Sequence, residues 1–304
     1  MSGKYLLTVV GPTSIGKTKL AIDLATYFKT EIISADSRQF YQEMSIGTAV
    51  PSRHELESVP HHFIQHKSIQ EIYNVGDFEK VALNVLNILF KKYNIAIMVG
   101  GSGLYIDAVI YGLDAFPRVD KEIRTKLNSI LKQEGIEVLQ NQLKELDAEY
   151  YAKVDIQNPH RVIRALEICL GTGKTYSSFI NKEKPPRPFK SIIVGLSAER
   201  SVLYDRINRR VDTMIENGLI EEARSLYKHK YLNALQTVGY KELFNSFDGK
   251  WDLDFAISEI KKNTRRFAKR QLTWFGKNKD IIWVDFATPF DEILDKIIHL
   301  KNTI

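Results

Sequence analysis

Short apolar runs alternate with helical periods through the first part of the chain. Leu6–Val10, Glu31–Ala35 and Ile95–Val99 are continuous runs typical of buried strands. Between these runs, in segments 20–28 and 78–89, apolar residues recur every three or four positions, as on one face of a helix. This alternation predicts a parallel β-sheet flanked by helices.

The middle of the chain follows a different pattern. From 114 to 190 the β-branched runs disappear and charged helical periods replace them. Strand-like runs return at Ile192–Leu196 and Ile281–Val284. We therefore predict an α/β core formed by residues 1–113 and 191–304, into which residues 114–190 are inserted as an all-helical subdomain.

Composition places the chain among ordinary soluble proteins. Of its 304 residues 44% are hydrophobic and 26% are charged. Its one cysteine, Cys169, excludes an internal disulfide and a multi-cysteine zinc site, which indicates a reducing compartment. No apolar run approaches the roughly 20 residues of a membrane span, and no signal peptide precedes the first strand. We expect a cytoplasmic protein with no membrane contact.

A glycine-rich segment after the first predicted strand has the P-loop pattern G-x-x-x-x-G-K-[ST] and opens a predicted helix. Its amides and Lys17 suit a diphosphate or triphosphate, and the Thr18 hydroxyl suits Mg²⁺. The fold prediction is therefore a P-loop NTPase-like sheet. The predicted phosphate-binding residues are Gly11, Pro12, Thr13, Ser14, Ile15, Gly16, Lys17 and Thr18.

A second glycine-rich string, Gly171–Thr175, lacks both the first glycine of that pattern and a preceding strand. We interpret it as the end of a helix.

Two polar residues follow predicted strands. Asp36 comes after the second run, and Ser102 lies in the glycine-rich turn after Ile95–Val99. Because the carboxyl ends of parallel strands meet at one edge of the sheet, both should face the bound phosphates. The alternatives are a helix cap for Asp36 and a simple turn residue for Ser102.

Eight sequence blocks, in order from residue 6 to residue 285, resemble those of the tRNA dimethylallyltransferases, also called tRNA isopentenyltransferases. The blocks are Gly11–Thr18, Asp36–Tyr41, Ile46–Ala49, Pro60–His62, Gly100–Tyr105, Gln157–Arg161 with Arg164–Glu167, Val238–Tyr240 and Lys269–Trp274. Two departures from the family are Ser102, where many members have threonine, and Val50, where many have lysine.

The resemblance implies transfer of a dimethylallyl group from dimethylallyl diphosphate to N6 of the adenosine 3′ of the anticodon, with Mg²⁺. It implies that the P-loop binds the prenyl diphosphate rather than ATP. Asp36 suits a general base for N6, while Lys17 and Arg210 would stabilise the leaving diphosphate. Together with Ser102 these are the candidate catalytic residues.

The resemblance also implies contacts with tRNA. Family segments that hold the flipped base and its neighbours match Asp36, Ser37, Arg38, Gln39, Ser102, Gln157, Asn158, Pro159, His160 and Arg161, and Arg124 matches another tRNA contact. The partner would be the anticodon stem-loop, bound by a monomer.

A predicted basic helix is a further candidate for contact with RNA. Its six cations lie beside an apolar stripe and are Lys261, Lys262, Arg265, Arg266, Lys269 and Arg270. The net charge of +6 agrees with a polyanionic partner, so we favour phosphate contact over a solvated face or a membrane surface. For His61 and His62 we favour structural or RNA-contacting roles over metal binding.

Two other functions stay open at this point. A small P-loop kinase would share the phosphate loop and Asp36 but leaves the basic helix unexplained. A non-enzymatic RNA-binding P-loop protein would leave Asp36 and Ser102 without a role.

Overall fold

The structure, a computed structural model, describes residues 3–180 and 182–303, so positions 1, 2, 181 and 304 of the predicted domains lie outside it. Its strands are β1 (Tyr5–Val10), β2 (Ile32–Ser34), β3 (His61–His62), β4 (Ile95–Val99), β5 (Lys190–Ser197) and β6 (Ile281–Asp285). Its α-helices are α1 (Lys17–Phe28), α2 (Arg53–Ser58), α3 (Val75–Lys92), α4 (Gly103–Tyr111), α5 (Lys121–Glu134), α6 (Ile136–Leu146), α7 (Ala148–Tyr151), α8 (Pro159–Thr172), α9 (Arg200–Glu216), α10 (Leu219–Leu226), α11 (Tyr240–Phe247), α12 (Leu253–Phe275) and α13 (Phe290–Thr303).

The six strands form one parallel sheet in the order β3-β2-β4-β1-β5-β6. Every residue of β1 and β4 is buried, because helices cover both faces of the sheet. This confirms the predicted fold class. Since β1 lies between β4 and β5, the loop that follows it is at the centre of the carboxyl edge, where ligands of α/β proteins bind.

The chain divides into two compact units, residues 1–111 with 187–304 and residues 112–186. The second unit is helical in its described residues and contains α5 to α8, with a core that includes Leu127, Leu139, Leu143 and Leu166. Its bounds differ by a few residues from the expected 114–190, because strand β5 already begins at Lys190. The string Gly171–Thr175 includes the end of α8, where Gly173 has a left-handed conformation, as expected.

Among the described helices, none combines the length and apolar character needed to cross a membrane.

Candidate active site

The P-loop connects β1 to α1. At its first glycine, Gly11, φ is 143°, and a side chain would approach the carbonyl oxygen of Leu196 to 2.7 Å. Helix α1 begins at Lys17, so the free amides of its first turn lie at the carboxyl edge of the sheet. Backbone N–H groups at such a helix start bind anions. The loop is therefore a candidate phosphate site.

Some of the predicted phosphate-binding residues are buried, and the others line a cavity. Gly11, Pro12 and Ile15 are buried. The remaining five line a first cavity of about 660 Å³ and are Thr13, Ser14, Gly16, Lys17 and Thr18. Within the described chain the buried Ser14 Oγ has no hydrogen-bond partner. A polar ligand in the cavity would supply one.

Lys17 is the charged centre of the first cavity. Its Nζ donates a hydrogen bond to the carbonyl oxygen of Pro12 at 2.7 Å. Burial lowers the pKa of Lys17 to about 8; the charge of Asp36 opposes this change and that of Arg210 adds to it. An anionic ligand would stabilise the protonated amine, so binding of a diphosphate should be accompanied by proton uptake at about pH 8 and above.

Arg206 supports the P-loop from α9. Its Nε donates to the carbonyl oxygen of Ser14 at 2.8 Å, and its guanidinium lies 4.9 Å from the ring centre of Phe286. This contact orients the loop carbonyl and leaves the loop amides available to a ligand. The sequence analysis missed this residue. Other arginines stand close to it in α9, and the sequence does not show which of them contacts the P-loop.

Asp36 and Ser102 line the same cavity, and the turns that carry them are in contact. The Ser37 amide donates to Ser102 Oγ at 3.0 Å, and Ser102 Oγ lies within 3.0 Å of Ser37 Oγ. The Arg38 amide donates to Asp36 Oδ1 at 3.1 Å, which fixes that carboxylate at the end of β2. These bonds join the turns that follow β2 and β4.

Arg38 and Gln39 hold the same turn from its other side. The Arg38 guanidinium donates to the carbonyl oxygens of Asn233 and Ala234 at 2.9 and 2.8 Å. The Gln39 side-chain Nε2 donates to the carbonyl oxygen of Ala49 at 2.9 Å. Both side chains therefore have hydrogen-bond partners within the protein, although Gln39 also lines the first cavity and Arg38 lines a second one.

Two further sequence blocks are joined by Glu222. Its carboxylate accepts hydrogen bonds from the amides of Ser45, Ile46 and Gly47 at 2.8–2.9 Å and from the Tyr240 hydroxyl at 2.6 Å. A side chain at position 47 would approach the Tyr240 ring to 2.6 Å. These hydrogen bonds fix the loop that contains Thr48 and Ala49. Both of these residues line the cavities.

A second cavity, of about 700 Å³, adjoins the first. Its wall includes Ser37, Ser102, Tyr105 and residues 236–239. The residues that line both cavities are Thr13, Asp36, Arg210, Phe267 and Gln271. Asp36 thus lines two adjoining compartments, one beside the P-loop and one beyond it.

Arg210 brings a second positive charge to this shared wall. Burial lowers the pKa of its guanidinium and the Asp36 charge opposes the change. An arginine remains charged at neutral pH despite such shifts, so both Arg210 and Lys17 face the cavities with positive charge. Their placement suits a ligand that carries a diphosphate.

Helix α12 contributes Gln271 and Phe267 to the shared wall. The Gln271 side chain accepts from the Thr13 amide at 2.8 Å and donates to the Gly101 carbonyl at 2.9 Å, so it joins the P-loop to the turn of Ser102. Phe267 is 38% exposed. Both residues line the two cavities, and the sequence analysis did not name either of them as a site residue.

The six cations of α12 divide into two groups. Lys261 lies 2.5 Å from the Asp212 carboxylate, and Arg265 donates to Asn208 Oδ1 at 2.7 Å, so both pack against α9. The exposed group comprises Lys262, Arg266, Lys269 and Arg270. A phosphate backbone has direct access to this second group.

The candidate tRNA contacts of the insertion lie around α8. Asn158 caps this helix by accepting from the His160 amide at 3.1 Å, and Pro159 occupies its first turn. Gln157, His160 and Arg161 are exposed. Arg124 lies 3.7 Å from the buried carboxylate of Glu167, which also accepts from Arg164 at 2.8 Å. These two arginines therefore have an internal acidic partner.

The cavity walls fit a magnesium ion that arrives with its ligand. Mg²⁺ usually takes one or two protein oxygens and completes its shell with phosphate oxygens and water. The hydroxyl of Thr18 lies in the wall of the first cavity. Among the described residues there is no cluster of three or more His, Cys, Asp or Glu that would hold a metal without a phosphate.

Comparison with known proteins places these features in a wider context. Residues 39–279 match the sequence profile described as IPP transferase. The chain is 62% identical over 299 residues to a tRNA dimethylallyltransferase of Christiangramia forsetii, an alignment that covers 98% of this chain and 99% of the relative.

Solved structures show the same similarity. A tRNA isopentenylpyrophosphate transferase of Bacillus halodurans matches with 39% identity and a TM-score of 0.71, covering 99% of this chain and 95% of the other. A eukaryotic dimethylallyltransferase acting on tRNA matches with 29% identity and a TM-score of 0.78, covering 94% of this chain and 74% of the other. The relatives found by sequence and the solved structures found by fold therefore have the same kind of name.

Proposed function

The chain belongs to the IPP transferase family, and from this premise we propose that it transfers a dimethylallyl group from dimethylallyl diphosphate to N6 of the adenosine 3′ of the anticodon in tRNA. The observation that carries the proposal is the position of Asp36 in the wall common to two adjoining cavities. One compartment has the charges for a diphosphate, and the other has room for a base.

The diphosphate binds in the first cavity. The loop amides, Lys17 and Arg210 surround it with donors and positive charge, so they bind the substrate and stabilise charge on the leaving group. Mg²⁺ held by the Thr18 hydroxyl and the phosphates would supply further neutralisation of that charge. The isoprenoid carbon then lies toward the shared wall.

The adenine enters the second cavity after it leaves the base stack of the anticodon loop. Asp36 accepts a hydrogen bond from N6–H and takes that proton as N6 attacks C1 of the dimethylallyl group. The N6–C1 bond forms, the C1–O bond breaks, and diphosphate departs with the electron pair. Ser102 positions the turn of Asp36 through its hydrogen bonds with Ser37.

The tRNA reaches the site along exposed cations. Lys262, Arg266, Lys269 and Arg270 on α12 contact phosphates, while Gln157, His160 and Arg161 contact the anticodon stem-loop from the insertion. Phosphate contacts position the RNA, and the second cavity selects the base. We further propose that the protein acts as a monomer in the cytoplasm, since its single cysteine suits a reducing compartment.

One assay separates this function from the two alternatives. Purified protein is incubated with unmodified tRNA and either ¹⁴C-dimethylallyl diphosphate or γ-³²P-ATP. We expect ¹⁴C in N6-dimethylallyladenosine and no movement of ³²P. Transfer of ³²P to a small molecule would indicate a kinase, and tRNA binding without transfer of either label would indicate a non-enzymatic protein. The relatives named tRNA dimethylallyltransferase support the first outcome.

A further inference from the structure

His61 and His62 form the short strand β3, which pairs in parallel with β2 opposite Ile32 and Ile33. Successive side chains of a strand point to opposite faces of a sheet, so the two imidazoles have different surroundings. His62 Nε2 lies 2.8 Å from the carboxylate of Glu31. His61 instead lines the first cavity, together with Lys17 and Thr18.

The hydrogen bond of His61 determines its tautomer. Its Nδ1 lies 2.7 Å from the carbonyl oxygen of Val59. A carbonyl oxygen only accepts, so Nδ1 carries the hydrogen and Nε2 of the neutral ring carries a lone pair. Burial lowers the pKa of His61, which favours this neutral form.

Nε2 of His61 lacks a donor. The atom is buried and has no hydrogen-bond partner in the part of the chain that the structure describes. Buried polar atoms in folded proteins are nearly always paired, and one that is not suggests a missing water, ion or ligand. The missing partner must be a donor, because the lone pair can only accept.

The contents expected in the first cavity narrow the choice of donor. Phosphate oxygens of the substrate are acceptors and would repel the lone pair. The Lys17 ammonium donates one of its three hydrogens to Pro12 and would direct the others to the phosphates. Mg²⁺ prefers oxygen ligands and keeps several of its waters, whose hydrogens are strongly polarised.

We propose that His61 is a positioning residue whose Nε2 accepts a hydrogen bond from a water molecule of the Mg²⁺ that binds with the prenyl diphosphate. The inference deepens the proposed function and rests on its diphosphate site. Its role is to orient the hydrated ion against the phosphates.

Two substitutions of His61 test the contributions of its two ring nitrogens separately. His61→Asn keeps an amide donor near the position of Nδ1, where it can bond to Val59, and removes the acceptor at Nε2. His61→Gln extends an amide oxygen toward the position of Nε2 and gives up the Nδ1 donor. His62→Asn is the matched control, because His62 bonds to Glu31 instead.

The experiment is calorimetric titration of Mg²⁺ into each full-length variant saturated with inorganic pyrophosphate. Loss of an outer-shell partner weakens metal binding about tenfold or more. We expect that loss in H61N, substantial recovery in H61Q, and wild-type affinity in H62N, with similar melting temperatures for all four proteins. In ¹⁵N-histidine spectra of the wild type, the Nε2 resonance of His61 should shift when Mg²⁺ and pyrophosphate bind together and keep the signature of an unprotonated nitrogen.

Wild-type Mg²⁺ affinity in H61N would overturn the proposal. So would equal losses in H61N and H61Q, which would show that the residue only supports the fold, and so would protonation of Nε2 on binding, which would show a direct phosphate contact. Failure of the proposed function is seen separately, because the wild type would then transfer no ¹⁴C from dimethylallyl diphosphate to tRNA, whatever the Mg²⁺ titration shows.

Discussion

The two cavities that meet at Asp36 are constructed in different ways. The first is lined by several segments, but one of them, the P-loop, supplies the backbone donors of a phosphate site, and Lys17 and Arg210 supply positive charge. The second is also lined by distant segments, but it has no such run of backbone donors, and its wall includes the partly exposed apolar side chains Leu104 and Trp274.

This difference separates two tasks. A diphosphate needs fixed donors and positive charge, which a helix start supplies through its backbone. A flipped base needs an apolar compartment with a few polar groups, which only distant segments can form together. Substitutions in the two regions should therefore affect different steps, and the residues in the shared wall should affect the chemistry.

Asp36→Asn tests the shared wall and has the largest expected effect. Asparagine keeps the shape of the side chain but cannot take the N6 proton. We expect single-turnover transfer to slow by roughly 10²–10⁴. Affinities for tRNA and for dimethylallyl diphosphate, measured separately, should change little. A rate close to that of the wild type would exclude Asp36 as the base.

Lys17→Ala tests the first cavity alone. It removes a charge-assisted contact worth roughly 1.5–3 kcal/mol, or about 10- to 150-fold in affinity for the diphosphate. Equilibrium binding of dimethylallyl diphosphate measures this loss, and binding of tRNA in the absence of the diphosphate serves as the control. Unchanged diphosphate affinity would contradict the assignment of the P-loop.

The pKa of Lys17 predicts a pH dependence with a definite sign. In the free protein this pKa is about 8, so the amine loses its charge as the pH rises through that value. If only the ammonium form binds, affinity for dimethylallyl diphosphate falls about tenfold per unit above it. Binding at pH 8.5 should then take up protons, which calorimetry in buffers of different ionisation enthalpy detects. The proton uptake should disappear in Lys17→Ala.

The two groups of cations on α12 offer a matched comparison. Replacing Arg266 and Arg270 with glutamine removes two exposed charges, whereas replacing Lys261 and Arg265 removes two that contact α9. In the first variant the slope of log K against log salt for tRNA should become less steep by about one to two units. Affinity should fall roughly fourfold for each contact at 0.15 M salt. Equal changes in both variants would show that the exposed cations of α12 contribute no more to tRNA binding than the cations that contact α9.

Gln271→Met has the smallest expected effect. The change preserves length but removes the bonds to Thr13 and Gly101, each worth about 0.5–1.5 kcal/mol. If the transition state loses the equivalent of one such bond, kcat falls about 2- to 12-fold, with an unchanged salt dependence of tRNA binding. Thr273→Ala, on the exposed side of the same helix, is the control. An unchanged kcat would show that the reaction does not need the hydrogen bonds by which Gln271 links the P-loop to the turn of Ser102.

Most of the sheet could be predicted from the sequence. Strands such as β1 and β4 are continuous apolar runs, because both of their faces are buried. The exception is β3, which has two residues, His61 and His62, and is too short to show a period. Its place beside β2 depends on contacts distant in sequence.

The candidate site was less accessible to sequence reasoning. The P-loop is a local motif, so its position followed from its neighbours in the chain. Gln271 and Phe267 showed only a helical period, which is the same for a core residue and for a residue that lines a cavity. Arg206 stood among other basic residues, and only its contact with Ser14 distinguishes it.

The central claim is that the diphosphate and the base occupy connected cavities and meet at Asp36. The most direct measurement is the affinity of an anticodon stem-loop whose target N6 is joined through an isoprenoid linker to a diphosphate. One ligand that fills both cavities should bind at least about 100-fold tighter than either the unmodified stem-loop or the diphosphate alone. Lys17→Ala should remove most of that gain. Binding no tighter than that of the stem-loop alone would contradict the account.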